Sequence, residues 1–356
     1  MMLPYMLVFC AAAVPALVHW RGRTLLAWWI LGISLALFVG LRHEVGGDWQ
    51  GYLVITDRLS HAPLAQVFAQ EPAFRLLTWI SAKTGFGVYG VNLVGAVIFF
   101  FGLLSFCAKL PNRWLALASA IPFLVIVAVM SANRQGMAIG IVLYVMSRWR
   151  SLGLIGRSLW ILCAGLFHVS AMLLLVLTVT DLPISRGKKA VLALLLTAVG
   201  VWLINQSEAS WVRYTTIYVE QSHSAYARGA VFHLLLNLVP AGFMLLYSKR
   251  WSSLVENWHL TWQLCLLGFV LLVLSPFMTV AVSRMSLYLF PVSITFFAWL
   301  PQLVRPGPGR SLVQLVCVTV LGSILLVWLA LSNTAFTYFP YQNALLLERH
   351  QLVLPR

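Results

Sequence analysis

Long apolar runs with few charges recur along the chain, at 2–18, 24–41, 88–108, 114–130, 135–147, 158–180, 190–204, 229–248, 260–282, 285–304 and 311–332. A backbone in lipid must satisfy its own hydrogen bonds, and roughly 20 apolar residues in a helix do so across the hydrocarbon layer. A soluble fold could not hide this much apolar surface. The chain is 61% hydrophobic and 9% charged, where about 25% charge is ordinary for a soluble domain. The same figures exclude a disordered chain, a disulfide scaffold and a nucleic-acid binder built on a solvated basic surface. The runs predict an all-α polytopic transmembrane bundle of about 10–12 membrane segments, forming one integral membrane domain over 1–356. The first run lacks a basic segment before it and a small-residue cleavage site after it, so it reads as a retained span. Cys10, Cys107, Cys163, Cys265 and Cys317 each stand alone in an apolar run, without metal-ligand or redox spacing, and read as packing thiols.

Orientation follows from the short basic loops. Arg21 and Arg23, Lys109 and Arg113, Arg148, Arg150 and Arg157, Lys249 and Arg250, and Arg305 and Arg310 all fall between runs. Placing them in the cytoplasm puts the N-terminus outside, together with 42–87, 131–134, 205–228, 283–284 and the tail. Arg186, Lys188 and Lys189 then test the scheme. If 158–180 were one span, they would face outside. If it breaks near Gly165–His168 and turns back, they return to the cytoplasm. A re-entrant helical pair near 158–180 is therefore expected, with a plain span and a basic outer loop as the competing topology.

The formal charge of +15 is then mostly a topology signal, and ten cations and seven acids remain outside. In the densest outer segment Gly46 and Gly47 permit a tight turn, followed by Asp48, Trp49 and Tyr52. A carboxylate beside aromatic rings suits a sugar, because rings stack on its apolar face while oxygens bind its hydroxyls. An amphipathic interfacial helix with an aromatic belt carries the same pattern. Glu71 precedes Pro72, which suits a helix start. There it would either complement the helix dipole or act as a general base. Arg134 and Arg284 each sit alone in a short outer junction. That runs against the positive-inside trend, and arginine binds phosphate oxygens bidentately. The pair suggests a diphosphate clamp, against the plainer reading of snorkelling side chains. His168 lies at the expected break, either as a structural histidine or as a base facing a cavity. The loop 205–228 carries Trp211, Tyr214, Tyr218, His223, Tyr226 and Arg228, enough to cover a carbohydrate. Phosphate-binding glycine loops, zinc-protease motifs and a nucleophile elbow are all absent, and no DxD pair for a metal-bound nucleotide sugar is found.

Taken in order, these residues resemble the EpsG family of Wzy-like exopolysaccharide and O-antigen polymerases. The resemblance rests on Arg42 with Val45-Gly46-Gly47-Asp48 and Tyr52, and on Glu71-Pro72-Ala73-Phe74. It continues through Arg134-Gln135-Gly136-Met137-Ala138, Phe167-His168-Val169-Ser170, Ser283-Arg284-Met285 and Pro340-Tyr341. Trp49 departs from the family pattern, and the loop 205–228 does not align with it. The resemblance implies a bacterial inner-membrane glycosyltransferase with its active site facing the periplasm. Its substrates would be polyprenyl-diphosphate-linked oligosaccharides in membrane lipid, with no cofactor, no metal and no nucleic acid, and with a chain-length regulator as a possible protein partner. Arg134 and Arg284 would bind the donor diphosphate. Glu71 or Asp48 would deprotonate the acceptor hydroxyl, with His168 as the rival base. Arg42 would hold Asp48 or a phosphate oxygen. Gln135, Tyr52, Tyr226, Arg228 and Tyr341 would line the substrate site. An O-antigen ligase would use the same donor but carry one larger outer loop. A lipid-linked oligosaccharide flippase or other transporter would show repeats and a central line of charge, and no repeat is visible here.

Overall fold

The computed structural model describes residues 1–18, 24–68, 71–205, 225–277 and 279–352, with the side chains at 24, 197, 200–205, 225–232, 279–281 and 349 set aside. Arg21, Arg23 and the loop 206–224 lie outside the described residues, as do the side chains of Tyr226 and Arg228.

Nearly every apolar run is a helix: α1 (Leu3–Val18), α2 (Thr24–Gly40), α6 (Gly87–Cys107), α7 (Arg113–Ala120), α8 (Asn133–Ser147), α9 (Leu154–Phe167), α11 (Arg186–Asn205), α12 (Ala225–Leu246), α14 (Trp258–Leu274) and α17 (Pro308–Leu331). The run 285–304 holds the end of α15 (Thr279–Ser286), a 3-10 turn, α16 (Phe290–Trp299) and a closing 3-10 turn. Among the described residues, Gly87–Cys107, Val282–Leu303 and Pro308–Leu331 are long and apolar enough to cross a membrane. Large apolar side chains such as Leu7, Ile33, Phe101, Leu315 and Val327 are exposed on these helices, while Asn92, Asn133 and Gln135 are buried. That inverted distribution belongs to a membrane-embedded, all-α protein.

The polar segment 42–87 is also largely helical, as α3 (Trp49–Ser60), α4 (Leu64–Val67) and α5 (Pro72–Lys83), each too short to span. Asp48 and Glu71 sit at the N-cap positions of α3 and α5, and Pro72 takes the first helical position, where its missing N–H costs nothing. One departure has a local cause: α7 continues as a π-helix over Ile121–Val129. Pro122, at the start of that stretch, has no N–H to give to an i−4 carbonyl.

The chain forms two compact units, one comprising Met1–Tyr144, Leu166–His168 and Phe297–Arg356, the other Val145–Gly165 and Val169–Phe296. In the first, α2 packs on α6, α1 on α7 and α17, and α5 on both α3 and α6. Helices α6 and α8 meet at Gly102 and Gly140, where a Cβ on Gly102 would lie 1.8 Å from the Gly140 carbonyl oxygen. Small residues let membrane helices approach this closely. In the second unit α12 packs against α13 (Ser248–Ser252), α14 and α15, and α10 (Leu175–Val179) against α11.

Helix α9 ends at Phe167, and the chain resumes as a 3-10 helix over Val169–Leu174 leading into α10, so the interruption falls within the expected window. Arg157, in the first turn of α9, pairs with Asp181, which follows α10. Trp149 Nε1 also donates to Asp181, at 3.3 Å. Another expectation is corrected. Residues 283–284 form no turn between two spans. Arg284 is helical, inside α15, and the reversal comes earlier, at 275–277. Pro276 lies within that reversal, where its missing N–H and fixed φ suit a turn.

Candidate active site

The site lies in the first unit, at the turn between the π-helix and α8. Gly46 carries φ +103°, and a Cβ there would sit 2.2 Å from the Met130 carbonyl oxygen. Only glycine meets both demands. Its N–H donates to the Thr337 carbonyl at 3.0 Å. The next N–H, of Gly47, donates to Ser131 Oγ at 2.8 Å. Tyr338 spends its own hydrogen on the Val127 carbonyl, at 2.8 Å, so Ser131 is the donor in the 2.9 Å hydroxyl pair with Tyr338. A short antiparallel pairing of β1 (Arg42–His43) with β2 (Gln342–Asn343) closes the same corner.

This frame presents three ionisable side chains to one another. Glu71 has φ +50° and ψ 58°, a left-handed conformation that costs a non-glycine residue on the order of 1–3 kcal/mol. Its carboxylate makes no capping bond to α5. Instead Oε2 accepts from Arg134 Nη1 at 2.6 Å and Oε1 meets His168 Nδ1 at 2.5 Å. Arg134 comes from the first turn of α8, and His168 from the break after α9. The Arg134 guanidinium also lies over the Phe74 ring, 5.5 Å from its centroid, and its backbone N–H donates to Tyr52 Oη at 3.3 Å. The Glu71 side chain is 11% exposed. Burial alone would raise its carboxyl, but the hydrogen bond and charge of His168 and the charge of Arg134 outweigh that and hold it at about 2. An ionised carboxylate only accepts hydrogen bonds, so His168 Nδ1 is the donor. In the neutral ring the lone pair is then on Nε2.

The other expected site residues fall elsewhere. Arg42 is 1% exposed and does not hold Asp48. Its Nε and Nη1 donate to the carbonyls of Val45 and Val39, at 3.1 and 2.6 Å. It closes the loop after α2, because a buried guanidinium needs acceptors close by. Asp48 is exposed, and its carboxylate makes no ion pair or hydrogen bond among the described residues. Tyr52 is buried at 4% exposure in a core with Trp49, Phe74, Tyr89 and Met137, so it supports Arg134 from behind. Gln135 is buried in the first turn of α8. Tyr341 donates to the Phe38 carbonyl at 2.8 Å and stacks on the Phe38 ring at 4.2 Å, which makes it a strut between tail and α2. Arg284 is exposed on α15 in the second unit. There Ser170 Oγ lies 3.1 Å from Tyr288 Oη, one turn beyond Arg284. Sequence reasoning gave no role to Phe74, Ser131 or Tyr338. Their signal was faint: Phe74 follows Glu71 by three positions, which puts it on the same face of a helix start.

Searches of curated proteins and of solved structures each returned no significant match. The EpsG family model matches residues 25–343, a span holding Glu71, Arg134, His168 and Arg284. The chain belongs to the EpsG family.

Proposed function

We propose that the protein is a membrane polysaccharide polymerase. It transfers a glycan chain from its polyprenyl diphosphate to a hydroxyl of a lipid-linked repeat unit at the periplasmic face of the inner membrane. The acceptor oxygen attacks the anomeric carbon, the bond from that carbon to the diphosphate oxygen breaks, and the acceptor proton leaves to a base. Arg134 is the group for the diphosphate, whose charge grows as it departs, and Arg284 is a further phosphate-binding group on the second unit. His168 is the base, taking the proton at Nε2. Glu71 is a positioning residue: a carboxylate ionised down to about pH 2 and engaged by two partners is a poor proton acceptor, but it fixes the ring and balances the imidazolium once that forms. A diphosphate is already a good leaving group, so one base and accurate placement carry much of the rate.

The observation that carries this reading is the Glu71 carboxylate shared between Arg134 and His168. It joins an anion-binding group to an oriented imidazole on an outer-segment frame, in a chain of the EpsG family. The re-entrant course of 158–180 belongs to the same proposal. The break at His168 and the Arg157–Asp181 ion pair, which brings the two ends of the excursion together, support it. The test is complementation of a deletion strain, with lipid-linked glycan resolved by size. The native chain restores a ladder of lengths. Arg134→Ala, Arg284→Ala and His168→Gln leave single repeat units at normal protein level. A normal ladder from all three variants overturns the assignment.

A further inference from the structure

At the far end of the first unit lies a cavity of about 410 Å³ lined by Arg113, Arg310, Asn112, Gln302, Gln314 and Trp114, among others. It is remote from the Glu71 site. Arg113 opens α7, the π-helix follows, and Ser131 comes after that helical stretch. At 1.5 Å per residue the two ends are about 25 Å apart.

Four features make this cavity electropositive. Both guanidinium groups are anchored at its wall: Arg113 packs over the Trp28 and Trp114 rings at 5.2 and 5.7 Å, and Arg310 donates through Nε and Nη2 to the Val304 carbonyl at 3.2 and 2.9 Å. Among the described residues, no acidic one lines it. The N-termini of α7 and α17 both open here, and neither carries an acid in its first turn. Asn112 caps α7 by accepting from the Leu115 N–H at 3.0 Å, while α17 begins at Gly307 with no side-chain cap, so neither positive helix end meets a negative charge. Trp114 is 6% exposed, and its indole N–H, a donor with nowhere else to turn, has no partner among the described residues. A buried donor left unsatisfied in this way is costly.

We propose that this cavity is a binding site for a phosphate group, held by Arg113, Arg310 and the Trp114 indole N–H. Its place at the end of membrane helices suits the headgroup of an anionic lipid in the leaflet opposite the Glu71 site. Free phosphate shares that chemistry, and the volume is within the range of small-ligand sites. The site stands apart from the proposed catalytic reading and does not depend on it.

The test uses the full chain purified in maltoside micelles in a phosphate-free buffer, with its unfolding midpoint followed during three separate titrations. These are phosphatidylglycerol, phosphatidylcholine and inorganic phosphate. A midpoint that rises with phosphatidylglycerol alone, through a site weakened roughly tenfold by Arg310→Gln, supports the site with a lipid as its source. A rise with inorganic phosphate that Arg310→Gln weakens supports it with a soluble source. Arg113→Gln is the second variant and guards against a misfolded Arg310 variant; it is expected to weaken binding about threefold or more. No rise with either anion, or a rise undiminished in both variants, overturns the proposal.

Discussion

Glu71→Gln separates positioning from proton transfer, because it keeps the shape of the side chain and removes its charge. One Gln oxygen must now replace two carboxylate oxygens, each of which accepts from a different donor, at 2.6 and 2.5 Å. If that oxygen stays with Arg134, the Gln NH2 faces His168 Nδ1. The ring then has to accept at Nδ1 and carry its hydrogen on Nε2, so the lone pair turns away from the substrate. Carboxylate-to-amide changes of this kind cost up to about 10⁴-fold in rate by selecting the wrong tautomer. A loss of 10²–10⁴-fold in polymerisation is expected, equivalent to about 3–5 kcal/mol of transition-state stabilisation. Stability should suffer as well, because Arg134 loses its counterion in a site where its side chain is 26% exposed; a cost of about 2–3 kcal/mol is expected. The assay is single-turnover extension of a lipid-linked unit by protein in nanodiscs, measured from pH 5 to 9 on folded fractions. Glu71→Gln, His168→Gln and the double variant should lose rate to a similar extent, because the two residues act as one unit. The Glu71→Gln profile should also shift along the pH axis. Were Glu71 itself the base, His168→Gln would retain most of the rate. That result, or losses that multiply in the double variant, would refute the reasoning.

Four further outcomes follow from the geometry. The Glu71 carboxyl drops from an ordinary 4.5 to about 2 on folding. Its contribution, on the order of 3 kcal/mol, is therefore fully present above pH 4.5 and lost as the pH falls towards 2. Acid unfolding followed by tryptophan fluorescence should show this component vanish in Glu71→Gln. Gly46→Ala places a Cβ against the Met130 carbonyl on a backbone with φ +103°, and should lower stability by at least about 2 kcal/mol and release the 130–134 turn to faster hydrogen exchange. Arg157 and Asp181 should couple by about 1 kcal/mol in a double-mutant cycle of unfolding. A cysteine placed at Lys188 should react with an impermeant thiol reagent from the cytoplasmic side alone, whereas labelling from outside contradicts the re-entrant course.

Much of the fold was legible because lipid imposes a simple rule: apolar runs become helices, and the runs read from the sequence match the helices observed. Local chemistry was legible where one residue type forces a geometry. Pro72 set the start of α5, and Gly46 set the turn after β1. The π-helix was not legible, since it depends on how α7 packs as well as on Pro122. Burial was the other blind spot. Arg42, Tyr52 and Tyr341 are polar residues in polar segments, so they read as substrate contacts, yet their partners are backbone groups: carbonyls three residues away for Arg42, and an N–H and a carbonyl distant in sequence for Tyr52 and Tyr341. For Glu71 the sequence left the role open, between helix-dipole partner and base. The sequence cannot reveal that residues 63 and 97 positions away supply its two partners.

The turn around Ser131 is held by Tyr338, and the Tyr338 carbonyl in turn accepts from Tyr5 Oη at 2.5 Å. The scaffold of the Glu71 site is thus assembled from the earliest and the latest parts of the chain, while most of Val145–Phe296 builds a separate unit in between. During vectorial synthesis the early helices must wait in the bilayer, with the Ser131 turn lacking its brace, until the last helix and the tail emerge. A polymerase of this design acquires its working corner only after most of the second unit has been made. A chain shortened by its last twenty residues should insert in full and yet remain inert, which makes the tail a built-in delay between insertion and chemistry.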